Sequence, residues 1–255
     1  SISATAQTIT WTGAVDVNFN NPSNWSPAQV PMAANDVVIP TASIMIVNAS
    51  ASILSIDIQG TASVTLSNNL TFTEPSTVDA DAVVTWTGGF INGGSTLTNH
   101  GVFNLTTSAT KSISGLTTFN NENTINITTG GDLNITDGVL NNQLSGIIDM
   151  QADGGNISYS GGASRILNNY GLIKRSTSAG NADIATMLNN LCGTITVESG
   201  NLNLNFLEKT FTDGTYNVAA GATLTWGVNI IFAGTIQGVN DGDITCFAQR
   251  LQQSQ

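Results

Sequence analysis

Apolar and small polar residues alternate along most of this chain in short runs, and the runs themselves recur. Leu97-Thr98-Asn99-His100-Gly101-Val102-Phe103, Phe119-Asn120-Asn121-Glu122-Asn123-Thr124-Ile125 and Leu167-Asn168-Asn169-Tyr170-Gly171-Leu172-Ile173 share one frame, as do Leu140-Asn141-Asn142 with Gly146-Ile147-Ile148 and Leu188-Asn189-Asn190 with Gly193-Thr194-Ile195. The frame is an apolar residue, an asparagine pair (Thr-Asn in the first copy), a short gap, Gly and a β-rich run. Its glycine slot falls at Gly101, Asn123, Gly146, Gly171, Gly193, Gly214 and Gly234, in steps of 22, 23, 25, 22, 21 and 20. Asparagine tolerates a left-handed backbone better than most residues, so the slot reads as a left-handed turn.

A second register follows each slot. Leu133-Asn134-Ile135, Ile157-Ser158-Tyr159, Leu202-Asn203-Leu204 and Ala222-Thr223-Leu224 alternate with a period of two and read as strands with one face inward. Roughly seven residues per side and 21 per turn predict three short strands per coil, stacked at about 4.8 Å. The fold class expected is therefore all-β: a right-handed, three-sided parallel β-helix. Side-chain amides recurring at one height-step per coil are expected to hydrogen-bond in a ladder through Asn99, Asn121, Asn142, Asn169 and Asn190. Ligand binding by these asparagines is the alternative.

The first 40 residues break the pattern. They hold Trp11, Trp25, Pro22, Pro27, Pro31 and Pro40, which suits a cap over the exposed edge and core of a solenoid end. A sugar-stacking platform of Trp11 and Trp25 is the alternative. Residues 1–10 alternate as one strand, with Ile2 and Ile9 as apolar positions able to complete a neighbouring copy. Weaker repeats at Gly60 and Asp81 put the first coil near Val37. Residues 41–240 then hold about ten coils, a rod about 50 Å tall. After the turn at 241–243, Ile244, Phe247 and Leu251 recur at helical spacing, predicting a short cap helix, with an unordered tail as the competing reading. The long step from Gly146 to Gly171 predicts an insertion around Gly161-Gly162 and Arg165, where solenoids commonly place binding function.

The opening segment, Trp11-Thr12-Gly13, Asn24-Trp25-Ser26, Val30-Pro31 and Asp36-Val37-Val38-Ile39-Pro40, resembles the module that begins many β-helical, adhesin-like surface proteins of the Bacteroidetes group. The resemblance covers about 30 residues and implies secretion and surface display; it brings no catalytic residues.

Charge narrows the partners. With six Lys and Arg against 17 Asp and Glu, a net charge of -11 argues against nucleic acid and anionic membranes. No apolar run is long enough for insertion into a membrane, and no leader is visible at Ser1. The acidic, Thr- and Asn-rich composition suits a secreted protein at the cell surface. Cys192 and Cys246 match no metal or redox spacing and read equally as a disulfide or two thiols. Seven sequons (Asn24, Asn48, Asn69, Asn104, Asn126, Asn134, Asn156) matter only in a producer that glycosylates.

Catalytic signals are sparse. Asp79 and Asp81 lie two apart and are expected on one strand face; Asp149 with Asp153 and Asp241 with Asp243 are weaker pairs. His100, the single histidine, reads as a turn residue, and Lys174-Arg175 as an exposed basic pair. Thr-x-Thr pairs such as Thr194/Thr196 resemble ice-binding faces but do not recur in every coil. No cofactor and no metal are expected. The leading expectation is a non-catalytic surface module contacting carbohydrate or other cell-surface material. A filament of copies joined by strand addition is the second expectation, and a polysaccharide lyase or glycosidase the third.

Overall fold

The structure is a computed structural model that describes residues 6–205, 208–227, 230–233, 238–239, 241, 243–246 and 252–253. After β1 (Gln7–Trp11) and β2 (Trp25–Ser26), the first coil is formed by β3 (Asn35–Ile39), β4 (Ile44–Val47) and β5 (Ala51–Ile53). Every third strand thereafter pairs in parallel with its predecessor. The result is three parallel faces, called A, B and C after β3, β4 and β5. Among the described residues nine coils carry all three strands, the ninth being Lys209–Thr212, Thr215–Val218 and Thr223–Trp226; a tenth, Ile230–Ala233 with Asp243–Cys246, is partial.

Alternation drives this arrangement. In each strand every second residue points into the coil, giving buried columns such as Val37, Ile56 and Leu97 on face A, and Met45, Val64 and Val84 on face B. Aromatic rings from different faces meet edge-on inside the coils, with Phe103 5.1 Å from Phe119 and Tyr216 5.6 Å from Trp226.

One inward column of face A runs Ile39, Ile58, Val78, Asn99, Asn121, Asn142, Asn169, Asn190, Phe211. Its five asparagines are fully buried. Each donates through Nδ2 to Oδ1 of the next, at 2.9, 2.8, 2.8 and 2.6 Å, and Asn190 donates to the Tyr216 hydroxyl at 2.8 Å. The ends fix the direction. Gly101 N–H donates to Asn99 Oδ1 at 3.0 Å, and Asn190 Nδ2 also reaches Gly193 O at 3.0 Å. On the outer side of the same strands Asn141, Asn168 and Asn189 each donate to the preceding coil's asparagine at 2.9 Å. The two ladders run in opposite directions, so their dipoles oppose.

The glycine slot has a different cause from the one its sequence suggests. Gly101, Gly146, Gly171, Gly193 and Gly214 do not have positive φ. A Cβ at Gly193 would lie 2.6 Å from Asn190 Oδ1, and one at Gly214 2.8 Å from the Tyr216 hydroxyl. Ladder side chains fill the space a side chain would need at Gly193 and Gly214, and backbone carbonyls close it at Gly101 and Gly171. Left-handed geometry falls instead on the preceding residue in two coils, Cys192 at φ 61° and Asp213 at φ 51°. Gly234 lies outside the described residues.

The first coil begins at Asn35–Ile39, close to the Val37 that the weaker repeats give, so the cap ends before residue 40. Val37 to Ile39 already belong to the first coil, and Pro40 lies in the turn that leaves it; Pro31 is buried in the cap proper. Trp11 and Trp25 are each 3% exposed and meet edge-on at 4.9 Å, so they form a hydrophobic plug and offer no face for sugar stacking. Trp25 Nε1 donates to Phe19 O at 2.7 Å. The preceding loop is tied by Asp16, whose carboxylate is held down to about 2 by the Asn21 amide, the Asn18 N–H and the Asn24 amide.

Ile9 is fully buried, because β1 pairs in parallel with β3 of the same chain. The expected donor strand is thus used internally at residues 7–11, and Ile2 lies outside the described residues. The expected C-terminal helix is likewise overturned at its start: Asp243–Cys246 is a strand continuing face C, since its backbone finds ladder partners there. Phe247 and Leu251 lie outside the described residues.

Candidate functional site

Most chemistry-bearing side chains are spent on corners. Asp79 and Asp81 do not share a strand face. They sit in a turn closed by Ala82 N–H to Asp79 O at 3.1 Å, where Asp79 Oδ2 accepts Gly60 N–H at 2.9 Å and Asp81 is exposed. Asp149 projects from face B and takes Lys174 Nζ at 3.2 Å and Ser176 Oγ at 2.6 Å, whereas Asp153 lies at a corner against Arg175 and Gly180 N–H. The pairs are separated because strand and corner impose different directions. Asp241 is exposed and its N–H donates to Val218 O at 2.9 Å. His100 is a turn residue whose Nδ1 lies 3.2 Å from Glu122 Oε2. Cys192 is an exposed free thiol. Asn24 is fully buried, so its sequon is inaccessible in the fold.

Arg175 corrects the expectation of an exposed basic pair. It occupies an inward column of face B and is fully buried, its Nη1 donating to Met150 O at 2.8 Å and Ala152 O at 2.9 Å while Nη2 meets Asp153. Lys111 and Lys209 are also fully buried in inward columns. Lys111 Nζ donates to Thr107 O at 2.6 Å; Lys209 Nζ donates to Thr186 O at 2.6 Å and Asn205 O at 2.9 Å. Burial pushes them down to about 8 and about 7. Three of the six basic residues therefore cap carbonyls inside the rod. The surface is more acidic than the net charge alone conveys.

The long coil step resolves into a built corner. Coil 5 turns from face C to face A through Asp137 alone between Thr136 and Gly138, but coil 6 takes residues 159–164 between Ile157–Ser158 and Arg165–Asn169. Gly161 and Gly162 carry φ of 82° and 81°, a conformation few other residues hold without strain. Asp137 Oδ1 anchors the loop by accepting Ala163 N–H at 3.1 Å and Ser164 N–H at 3.2 Å. Tyr159 opens the loop, 36% exposed, with the Arg165 guanidinium 4.9 Å over its ring.

Beside this corner face C carries a continuous polar column. Asp132 accepts Asn156 Nδ2 and Ser158 Oγ, both at 3.1 Å, and Ser158 also donates to Asn134. Asn156 Oδ1 accepts Asp183 N–H at 2.9 Å, and Asp183 accepts Asn203 Nδ2 at 2.7 Å. Fixed hydroxyls, amides and carboxylates next to an exposed aromatic can hydrogen-bond a polyol and stack its apolar face. The Gly-Gly pair and Arg165 are legible in the sequence. Tyr159 is not, because alternation from Ile157 predicts an inward side chain.

Residues 10–113 match the family described as a domain of unknown function (DUF8693). That similarity spans the cap and first three coils and ends in coil 4, short of the coil 6 corner. No curated protein and no solved structure matches the chain.

Proposed function

We propose that this protein is a non-catalytic, secreted surface module of the adhesin type, whose long polar faces contact glycans or other cell-surface material. The observation that carries this reading is the face C column running into the Tyr159 corner. There the polar groups are held by one another in register, as carbohydrate recognition requires, with little conformational entropy left to lose. The resemblance of the opening segment to surface proteins supports display outside the cell. Among the described residues no group of three or more His, Cys, Asp and Glu is gathered for a metal, and the ionisable residues with shifted pKa serve as buried caps or loop ties.

The test is a panel of immobilised polysaccharides together with intact cells. Saturable retention on at least one of them is expected. Failure to bind any surface at any protein concentration removes the adhesive reading. Turnover of a polysaccharide, abolished by Asp79→Asn, would replace it with the lyase reading.

A further inference from the structure

We infer that the coil 6 corner is a recognition site for a carboxylate-bearing sugar unit, with Arg165 as the carboxylate fork and Tyr159 as the stacking surface. The inference rests on the surface-contact reading above and names the ligand class of that site.

Three ion pairs are formed among the described residues, and they take His100, Lys174 and Arg175. Arg165 makes none, although acidic residues outnumber basic ones 17 to six. The nearby Asp137 carboxylate is turned to the loop amides of Ala163 and Ser164 instead. The polar contact of the guanidinium is one long bond from Nη1 to Gly162 O at 3.4 Å, and its Nε is buried without an acceptor. The phenol ring under the guanidinium limits its rotation, and the buried Nε is closed to a ligand, which leaves the Nη1/Nη2 end as the open edge. That is a preorganised fork of the kind that binds a carboxylate through two parallel hydrogen bonds.

The rest of the corner selects the ligand around that carboxylate. The part of Tyr159 not covered by Arg165 offers apolar surface to the C–H face of a pyranose. Apart from its chain neighbours no atom lies within 4 Å of a Cβ built on Gly161, so the loop that Tyr159 opens is uncrowded at that position. Ser158 and Asn156 supply polar groups for ring hydroxyls. A single cation among acids favours a lone acidic unit, such as a terminal uronate. A polyanion would bring further charges toward a corner bordered by the carboxylates of Asp132, at Ser158, and Asp137, at the loop amides, a repulsion that acts over a Debye length of about 8 Å.

The experiment is a calorimetric titration of the whole chain with a glucuronate-terminated disaccharide and with the glucose-terminated disaccharide of the same linkage. The acidic ligand is expected to bind about tenfold or more tightly, the effect of gaining a charge-assisted bidentate contact. Arg165→Gln should erase that preference, so that the two disaccharides bind alike. Arg165→Lys should recover only part of it, and Tyr159→Ala should weaken both ligands. Equal affinity for the two sugars, or an acidic preference that survives Arg165→Gln, overturns the inference. If polysaccharides or cells bind while neither disaccharide does, this site falls and the surface-contact reading stands. If nothing binds, both fall.

Discussion

At the scale of single residues, two glycines separate two causes that a sequence cannot distinguish. Gly171 has ordinary φ, but a Cβ there would run into Gln143 O and Gly146 O. Gly221 has open space around it but φ of 80°. Gly171→Ala is therefore expected to cost about 2 kcal/mol or more through overpacking against rigid backbone, and Gly221→Ala about 1 kcal/mol through the left-handed penalty. Urea titrations read both, and a reversed order would show that space is not what the repeat glycine protects. Lys209 gives a pH signature. Its folded pKa of about 7 lies below the unfolded value of about 10.4, so between those limits the unfolded chain binds more protons and stability rises with pH. The melting temperature should climb from pH 7 toward pH 9, and Lys209→Met should flatten that climb relative to wild type. Parallel profiles would mean that the two carbonyls offset the burial.

Strands and ladders are the next scale. The inner asparagine ladder exists because five successive coils place an amide where coils 1 to 3 place Ile39, Ile58 and Val78. Asn142→Leu keeps the volume but leaves the Asn169 oxygen without its donor and weakens the hold on Leu172 O, which Asn142 now bonds at 3.1 Å. The expected loss is about 2–4 kcal/mol, roughly 5–12 °C in melting temperature for a chain of this length. Asn141→Ala, on the half-buried outer ladder, is expected to lose less than about 1 kcal/mol. Comparable losses by calorimetry would deny the inner ladder its special role. Much of this was legible. Period-two alternation fixed the strands, and the recurring Asn after an apolar residue fixed the ladder. What alternation did not reveal were the inward cations: Lys111, Arg175 and Lys209 occupy inward positions of the pattern, and Arg175 reads as surface because of its charge. Backbone carbonyls, joined at Arg175 by the Asp153 carboxylate, explain their burial. Tyr159 escaped for the complementary reason, an inward position released by the loop that follows it.

Over the whole molecule, the N-terminal cap decides whether a rod stays single. A parallel coil ends in unpaired backbone groups on each of its faces, and such edges recruit other chains. Here face A is extended by β1, which pairs with β3, and then closed by the two-residue antiparallel β2. Face B is covered where Ile46 N–H donates to Val17 O at 2.7 Å and Phe19 N–H donates to Ile46 O at 3.0 Å. Phe19, Trp11 and Trp25 seal the apolar cross-section beneath them. Residues 7–11 are thereby used within the chain and are not free as a donor strand. The intact chain should therefore sediment as one species across a wide concentration range. Trp25→Ala, which deletes the centre of the plug and the bond to Phe19 O, should cost about 3–5 kcal/mol. It should also make sedimentation concentration-dependent, since a loosened cap frees the edges of β3 and β4. Destabilisation without association would mean that the plug supports the first coil but does not guard its edges. Association of the intact chain through this end would mean that the cap is itself an interface.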